Sequence, residues 1–341
     1  MAASGAAFAA TSNVDVYGTV DAGVTAIDAK INGVTLQDTV LVGGMPGNIE
    51  GSKIGLKGSE DLGGGLKAIW QIESTIDVDG TAGRGFGTRN TFVGVSGGFG
   101  TVIVGRHDTP EKLSTGSLDM FADQTGDYNQ SLTIVDTREN NVIAYISPDY
   151  NGFHVAVAAV AGEGDGVVGS TETATQSNIS NANGFDHWSG AAIYKNGPLH
   201  VSGAMTSLKA GYAIDLRDVT GQADTAIGAS VTNADIDIYR IGLGYTMGDL
   251  KLAAVYQNID VDGVELFETG YTVGAAYAMG PITIKAQYNE RENLLKGWTI
   301  GADYALSKRT TVKFAHTSQE EESGAVNAEV KMTTLNLRHN F

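Results

Sequence analysis

Hydrophobic and polar residues alternate with a period of two along almost the whole chain, the spacing of a strand with a different environment on each face. In "GWTIGADYALS", Trp298, Ile300, Ala302, Tyr304 and Leu306 share one face, and Thr299, Gly301, Asp303 and Ala305 share the other. In "YRIGLGYTM", Tyr239, Ile241, Leu243 and Tyr245 oppose Arg240, Gly242, Gly244 and Thr246. In "PITIKAQYNE", Ile282, Ile284, Ala286 and Tyr288 oppose Thr283, Lys285, Gln287 and Asn289. Helical periodicity is scarce, and no run approaches the roughly 18 apolar residues of a membrane helix.

The same pattern reaches the last residue. In "LNLRHNF", Leu335, Leu337, His339 and Phe341 fall on one face and Asn336, Arg338 and Asn340 on the other. Chain ends normally fray in water, so an aromatic here implies a strand paired along both edges with its apolar face covered. That is the behaviour of barrel wall.

Connections add a second regularity. Very short turns at 96–100, 147–152, 195–198, 247–249, 279–281 and 306–309 alternate with longer polar stretches at 75–88, 107–137, 162–187 and 207–235. Pro46, Pro110, Pro148, Pro198 and Pro281 all fall in turns or loops, where no ladder donor is lost. Counting strands between connections gives about sixteen. The expected fold is all-β: a transmembrane antiparallel up-and-down barrel with one plain and one elaborated rim. Tyr and Trp near strand ends fit the aromatic girdles of a membrane barrel better than a soluble sandwich.

Composition narrows the chemistry. The chain of 341 residues has no cysteine, which removes thiol catalysis, Cys-ligated zinc and disulfides. A net charge of −17 disfavours nucleic-acid partners and suits a surface that meets cations. Ala7-Phe8-Ala9-Ala10 fits the small-residue cleavage pattern of a secretory signal. Residues 1–10 are therefore read as a residual signal-like leader, and 11–341 as a single barrel domain.

Six stretches in order resemble the Gram-negative general porin family, especially its β-proteobacterial branch: "VDVYGTVDAG" at 14–23, "SKIGLKGSEDLGGGLKAIWQIE" at 52–73, "RNTFVGVSGGFGTVIVGRHDTP" at 89–110, "NNVIAYISPDYNGF" at 140–153, "YALSKRTTV" at 304–312 and the terminal "LRHNF". The resemblance implies a sixteen-stranded homotrimeric barrel in the outer membrane, in contact with lipid and lipopolysaccharide, passing small hydrophilic solutes. It also implies that the barrel assembly machinery reads the C-terminal Phe341, and that residues 75–88 latch one subunit to the next.

In that family the third loop folds into the lumen, and its acids face basic residues on the wall. By motif, Lys53, Arg89 and Arg138 occupy the basic positions, each on the polar face of its strand, with Arg106 lining or bracing the same region. Another family-like basic position, on the first strand, holds Thr19. The acids would be Asp119, Asp123 and Asp127 of "SLDMFADQTGDYN", in which "SLDMFAD" is expected to form a short helical turn. Opposed charges in a confined aqueous space set up a transverse field that orients water and dipolar solutes. The bland alternative is a set of solvated charges on a wet loop.

"IDVDG" occurs twice, and Asp77, Asp79, Asp260 and Asp262 are weak calcium candidates, since calcium needs six to eight oxygens. A structural calcium at outer loops is the one cofactor the sequence raises. The six histidines show no metal-ligand spacing, and no catalytic set is visible. The leading reading is a non-enzymatic general diffusion porin with mild cation preference. A solute-selective porin for sugars or organic acids would want an aromatic track along the inner face, and the inward faces of the pattern show few aromatics. An outer-membrane hydrolase would show hydrolytic turnover that one point mutation abolishes, and a soluble β-rich adhesin would purify without detergent.

Overall fold

A computed structural model describes residues 12–42, 51–78, 85–129, 134, 136–161, 185, 187–209, 235–262, 269–292, 294–323 and 326–341. The leader expected over 1–10 lies outside these. The strands are β1 (Ser12–Ile31), β2 (Val34–Val42), β3 (Lys53–Gly63), β4 (Leu66–Thr75), β5 (Thr91–Gly97), β6 (Gly100–Asp108), β7 (Arg138–Ile146), β8 (Phe153–Val160) and β9 (His187–Asn196). They continue as β10 (Leu199–Leu208), β11 (Ile236–Met247), β12 (Leu250–Val261), β13 (Thr269–Met279), β14 (Ile282–Arg291), β15 (Leu295–Ala305), β16 (Thr310–Ser323) and β17 (Val326–Asn340).

Each pairs antiparallel with its neighbour, and β17 returns to β1, so the sheet is closed. Seventeen segments fill sixteen wall positions. Both β2 and β3 pair with β1, the first along Gly23–Ile31 and the second along Ser12–Thr19, running in the same direction. They are two halves of one wall strand.

The expected strict alternation of short and long connections fails on the long-loop rim at β1–β2, β14–β15 and β16–β17, and the first of these can be explained. β1 and β2 are joined by Asn32-Gly33 alone, on the rim that carries the long loops. Their φ values are +49° and +86°. Asn-Gly is the pair that tolerates two positive φ values in a two-residue hairpin turn, so no long loop is needed there.

The two faces separate by chemistry. Ile241, Leu243, Ile284, Ile300, Leu335 and Leu337 are exposed, whereas Arg240, Gln257, Gln287, Thr299 and Asn336 on the opposite face are buried. The exposed face carries aromatics in pairs six residues apart: Tyr239 and Tyr245 on β11, Tyr277 facing back to Tyr271 on β13, and Trp298 and Tyr304 on β15. Six residues span about 20 Å along a strand, which places one ring near each edge of an apolar band of membrane-barrel height.

The last residue is tied in as the pattern demanded. Gly18 N–H donates to Phe341 O at 3.1 Å and Phe341 N–H donates to Gly18 O at 3.0 Å. β17 is thus held by β16 on one edge and β1 on the other.

Between β6 and β7 the chain forms a helix, α1 (Pro110–Thr115), followed by one 3-10 turn, Gly116–Leu118. The helix lies upstream of the "SLDMFAD" stretch where a turn was expected. Thr109 caps it by accepting from Lys112 N–H, and Pro110 supplies the preset φ of a first helical turn. This Thr-Pro start was legible in "HDTPEKL", whereas Asp119 is extended.

Candidate pore constriction

The segment from Thr109 to Asn129 lies against the polar face of β9 to β17, and the sequence of that face shows why. Gly242, Gly244, Gly274 and Gly301 leave shallow places on the wall, and the loop's apolar side chains occupy them. A Cβ at Gly244 would meet Leu118 Cδ2 at 2.7 Å, one at Gly274 would meet Met120 Cγ at 2.7 Å, and one at Gly301 would meet Phe121 Cε1 at 2.8 Å. Leu118, Met120, Phe121, Tyr128 and Ile134 form one apolar cluster with Ala253, Val255 and Ala315 of the wall. A polar face interrupted by apolar residues and glycine is therefore a seat for the loop.

Hydrogen bonds fix the register. Met120 N–H donates to Gln287 Oε1 at 2.9 Å, while Gln287 Nε2 donates to Gly126 O at 3.0 Å. Lys285 Nζ donates to Gln124 Oε1 at 2.6 Å and stands 4.6 Å from the centre of the Phe121 ring.

The principal anchor is a residue that sequence reasoning missed. Arg240 on β11 has a fully buried side chain, 2.9 Å from Glu111 Oε1 and 2.6 Å from Asp136 Oδ1, and it donates to Thr115 Oγ1 at 3.0 Å. Glu111 also accepts from Thr206 Oγ1 at 2.6 Å and Gln257 Nε2 at 2.9 Å. The signal in the sequence was an arginine on a face it shares with Gly242, Gly244 and Thr246.

The expected acids separate into two kinds. Asp119 is buried, with its oxygens accepting from Phe121 N–H at 2.8 Å and Tyr128 N–H at 3.1 Å. Burial pushes its carboxyl up to about 6, against these donors and Gln287, which favour the charged form. Asp127 likewise accepts from Asp123 N–H and Asn129 N–H, each at 2.8 Å. Both shape the loop. Asp123 alone of the three presents an exposed side chain; its Oδ2 lies 3.5 Å from Arg338 on β17, which also pairs with Asp21.

The expected bases are paired elsewhere. Arg89 Nε lies 2.6 Å from Glu73 Oε1, and Lys53 Nζ lies 3.9 Å from Glu73 Oε2, which also accepts from Tyr17 at 2.8 Å. Arg138 Nε lies 2.9 Å and Lys112 Nζ 3.3 Å from Asp108 Oδ1. Arg106 braces the wall, donating to Thr88 O at 3.0 Å and to Asn140. Thr19, the non-basic position, donates to Asn340 Oδ1 at 2.8 Å. No ion pair among the described residues joins Lys53, Arg89 or Arg138 to Asp119, Asp123 or Asp127.

The pairs nonetheless group by sign. On the β3–β7 side one carboxylate serves two cations, twice: Glu73 with Lys53 and Arg89, Asp108 with Lys112 and Arg138. At β11 and at β17 one guanidinium serves two carboxylates: Arg240 with Glu111 and Asp136, Arg338 with Asp21 and Asp123. Of the calcium candidates, Asp79 lies outside the described residues, and Asp260 and Asp262 are exposed near the end of β12. No cluster of three possible ligands occurs among the described residues.

A closed barrel with an apolar exterior and a loop seated on its polar face agrees with what comparison finds. A profile of the family described as Gram-negative porin matches residues 1–324. The chain belongs to the Gram-negative porin family. This porin is 29% identical to the major outer membrane protein P.IB of Neisseria meningitidis serogroup A, over 98% of this chain and 95% of that protein. It is 27% identical to the P.IB protein of Neisseria gonorrhoeae, over 98% and 96%. Among solved structures it resembles the anion-selective porin of Comamonas acidovorans, with a TM-score of 0.68 and 24% identity over 97% of this chain and 100% of that one. The trimer form of OmpT from Vibrio cholerae superposes with a TM-score of 0.62 at 15% identity, covering 97% and 99%. At such identities the structural likeness speaks for the fold. The porin is an outer-membrane protein of a Gram-negative bacterium.

Proposed function

We propose that this porin is a general diffusion channel whose third loop narrows a water-filled lumen, and that solutes pass through it without a reaction or an energy source. The observation that carries the reading is the grouping of ion pairs around the loop. Base-rich clusters on β3–β7 and acid-rich clusters on β11 and β17 would border one aqueous passage and polarise it. Lys53, whose side chain is 31% exposed, is then the most reachable cation of the basic set. Arg89 and Arg138 act behind it, with Arg106 as a brace, and Asp123 is the reachable acid. Asp119 and Asp127 contribute by holding the loop in shape.

A mild cation preference is part of the proposal. It follows from the excess of acids over bases in the whole chain, 39 against 22, acting at the mouths. Assembly as a homotrimer is proposed as well, since a structural neighbour is a trimer, as are contact with lipid and lipopolysaccharide at the apolar band and recognition of Phe341 during insertion. Planar-bilayer conductance of the detergent-purified protein tests the channel directly. Stepwise, ohmic conductance with a cation-directed zero-current potential in a KCl gradient is the expected result; a silent membrane would overturn the channel, and a chloride-directed potential the selectivity.

A further inference from the structure

A second cluster of basic side chains lies near the short-turn rim, apart from the groups used above. Lys195 closes β9, His200 opens β10 directly opposite it in register, and Lys251 opens β12. All three converge on Ser117 in the 3-10 turn of the loop. Lys195 Nζ lies 3.3 Å from Ser117 Oγ, His200 Nδ1 lies 3.5 Å from the same oxygen, and Lys251 Nζ donates to Ser117 O at 2.7 Å. His154, which follows the turn into β8, is close enough to add to the field at His200.

No carboxylate among the described residues forms an ion pair with either lysine. The acid that acts on Lys251 is Asp119, and both its oxygens are already taken by backbone N–H groups. His200 is buried, and its Nε2 has no hydrogen-bond partner among the described residues. Lys195 and Ser117 are exposed, so the cluster is open to solvent. An ammonium carries three donors, and each lysine spends one on Ser117.

We propose that Lys195, His200 and Lys251 form a binding site for a phosphate-like dianion, either free phosphate or the head of a small phosphomonoester, on the short-turn side of the loop. Two ammonium groups held at one serine without a counter-charge repel each other, and a dianion relieves that repulsion while accepting the donors left over, with the His200 ring beside them as a further hydrogen-bonding group. The serine positions the two ammonium groups. The proposal rests on the channel reading only for the route by which the anion arrives.

The test is therefore one of binding, with no conductance involved. The line width of the 31P signal is followed for inorganic phosphate, and separately for glycerol phosphate, titrated with folded protein in detergent. The wild type should broaden the phosphate signal saturably. Lys195→Gln/Lys251→Gln should weaken binding about tenfold or more, as expected for losing two charge-assisted hydrogen bonds. His200→Gln should weaken it less, and Lys308→Gln, which removes one charge from a turn on the same rim, should leave it within about twofold. Retention of the heat-modifiable folded form checks that each variant is intact. Binding of both ligands supports the shared headgroup, and binding of phosphate alone supports a site closed around the free dianion. Absence of saturable broadening, equal loss in the Lys308 variant, or wild-type affinity in the double variant would overturn the site.

Discussion

Arg240 and Arg89 both reach a carboxylate from the polar face of the same barrel, yet their surroundings differ. Arg240 is enclosed by the loop and answers two acids, Glu111 and Asp136, with two further side chains completing the coordination of Glu111. Among the described residues Arg89 lies against Glu73, an acid that the partly exposed Lys53 also approaches. The first arrangement fastens one segment to another. The second sets two cations beside one carboxylate, and one of them, Lys53, reaches solvent. The difference teaches that a charged residue on the inner face of a barrel cannot be assigned to selectivity from its position alone. The ratio of acids to bases around it, and whether a segment covers it, decide between anchoring and steering.

The strongest way to break this contrast is to exchange its halves. Arg240→Ala strands two buried carboxylates, a loss worth about 3–5 kcal/mol, and should release the loop from β11. We expect the largest change of any single substitution, a several-fold rise in single-channel conductance with new protease cleavage between residues 109 and 129. If conductance and cleavage stay at wild-type levels, Arg240 is no anchor. Filling a wall seat should do the same in part. Gly244→Val forces Leu118 off the wall, at a cost of about 1–3 kcal/mol for overpacking, and should change conductance while far-UV circular dichroism is unaltered.

On the β3–β7 side, Arg89→Ala with Arg138→Ala should leave the loop in place and move the zero-current potential toward cations. Glu73 and Asp108 keep Lys53 and Lys112 as partners, so the barrel should remain folded. Lys53→Gln alone should move the potential in the same direction. Unchanged potentials in all of these would take the basic set out of the passage.

The smallest expected effect is a titration. Asp119 lies near 6 in the folded protein and near 3.9 in an unfolded chain. A raised carboxyl contributes stability that is complete below about pH 4 and lost as the pH rises through about 6. The loop should therefore be held more firmly in mild acid, and amide exchange in residues 118–128, read by mass spectrometry, should quicken from pH 4 to 6 beyond the intrinsic pH dependence. Asp119→Asn should flatten that excess; an equal excess in the variant would place the titrating group elsewhere.

Most of the barrel was legible because period-two alternation is a local property. Each strand such as Trp298–Leu306 declares its two faces without reference to the rest of the molecule, and prolines mark where the ladder stops. The hairpin at Asn32-Gly33 was equally local but was passed over, because the pattern of long connections on that rim led to the expectation of another. The site was less legible, since its partnerships join residues far apart in the chain. Asp119 was expected among the acids facing the wall, and nothing nearby in sequence says that it is tied to backbone amides. Gly242 and Gly244 were seen on the polar face, but a seat for Leu118 becomes visible only when the loop is laid on it. The Arg240 anchor joins β11 to a helix that sequence reasoning placed too late.

The mutual hydrogen bonds of Gly18 and Phe341 carry a consequence for how the molecule comes together. Neighbouring strands such as β14 and β15 find each other across a few residues, whereas the β1–β17 seam joins groups such as Thr19 and Asn340, 321 residues apart. In a flexible chain each doubling of a loop costs about 0.6 kcal/mol, so a seam closed directly from the coil would cost about 3 kcal/mol more than a hairpin of about ten residues. The economical order is to zip the hairpins first. Each added strand then fixes the curvature and shortens the gap that remains, until the two edges meet almost without a search. On this account the cylinder is preceded by a curled, open ribbon, and its final event is a lap joint made by β1 and β17.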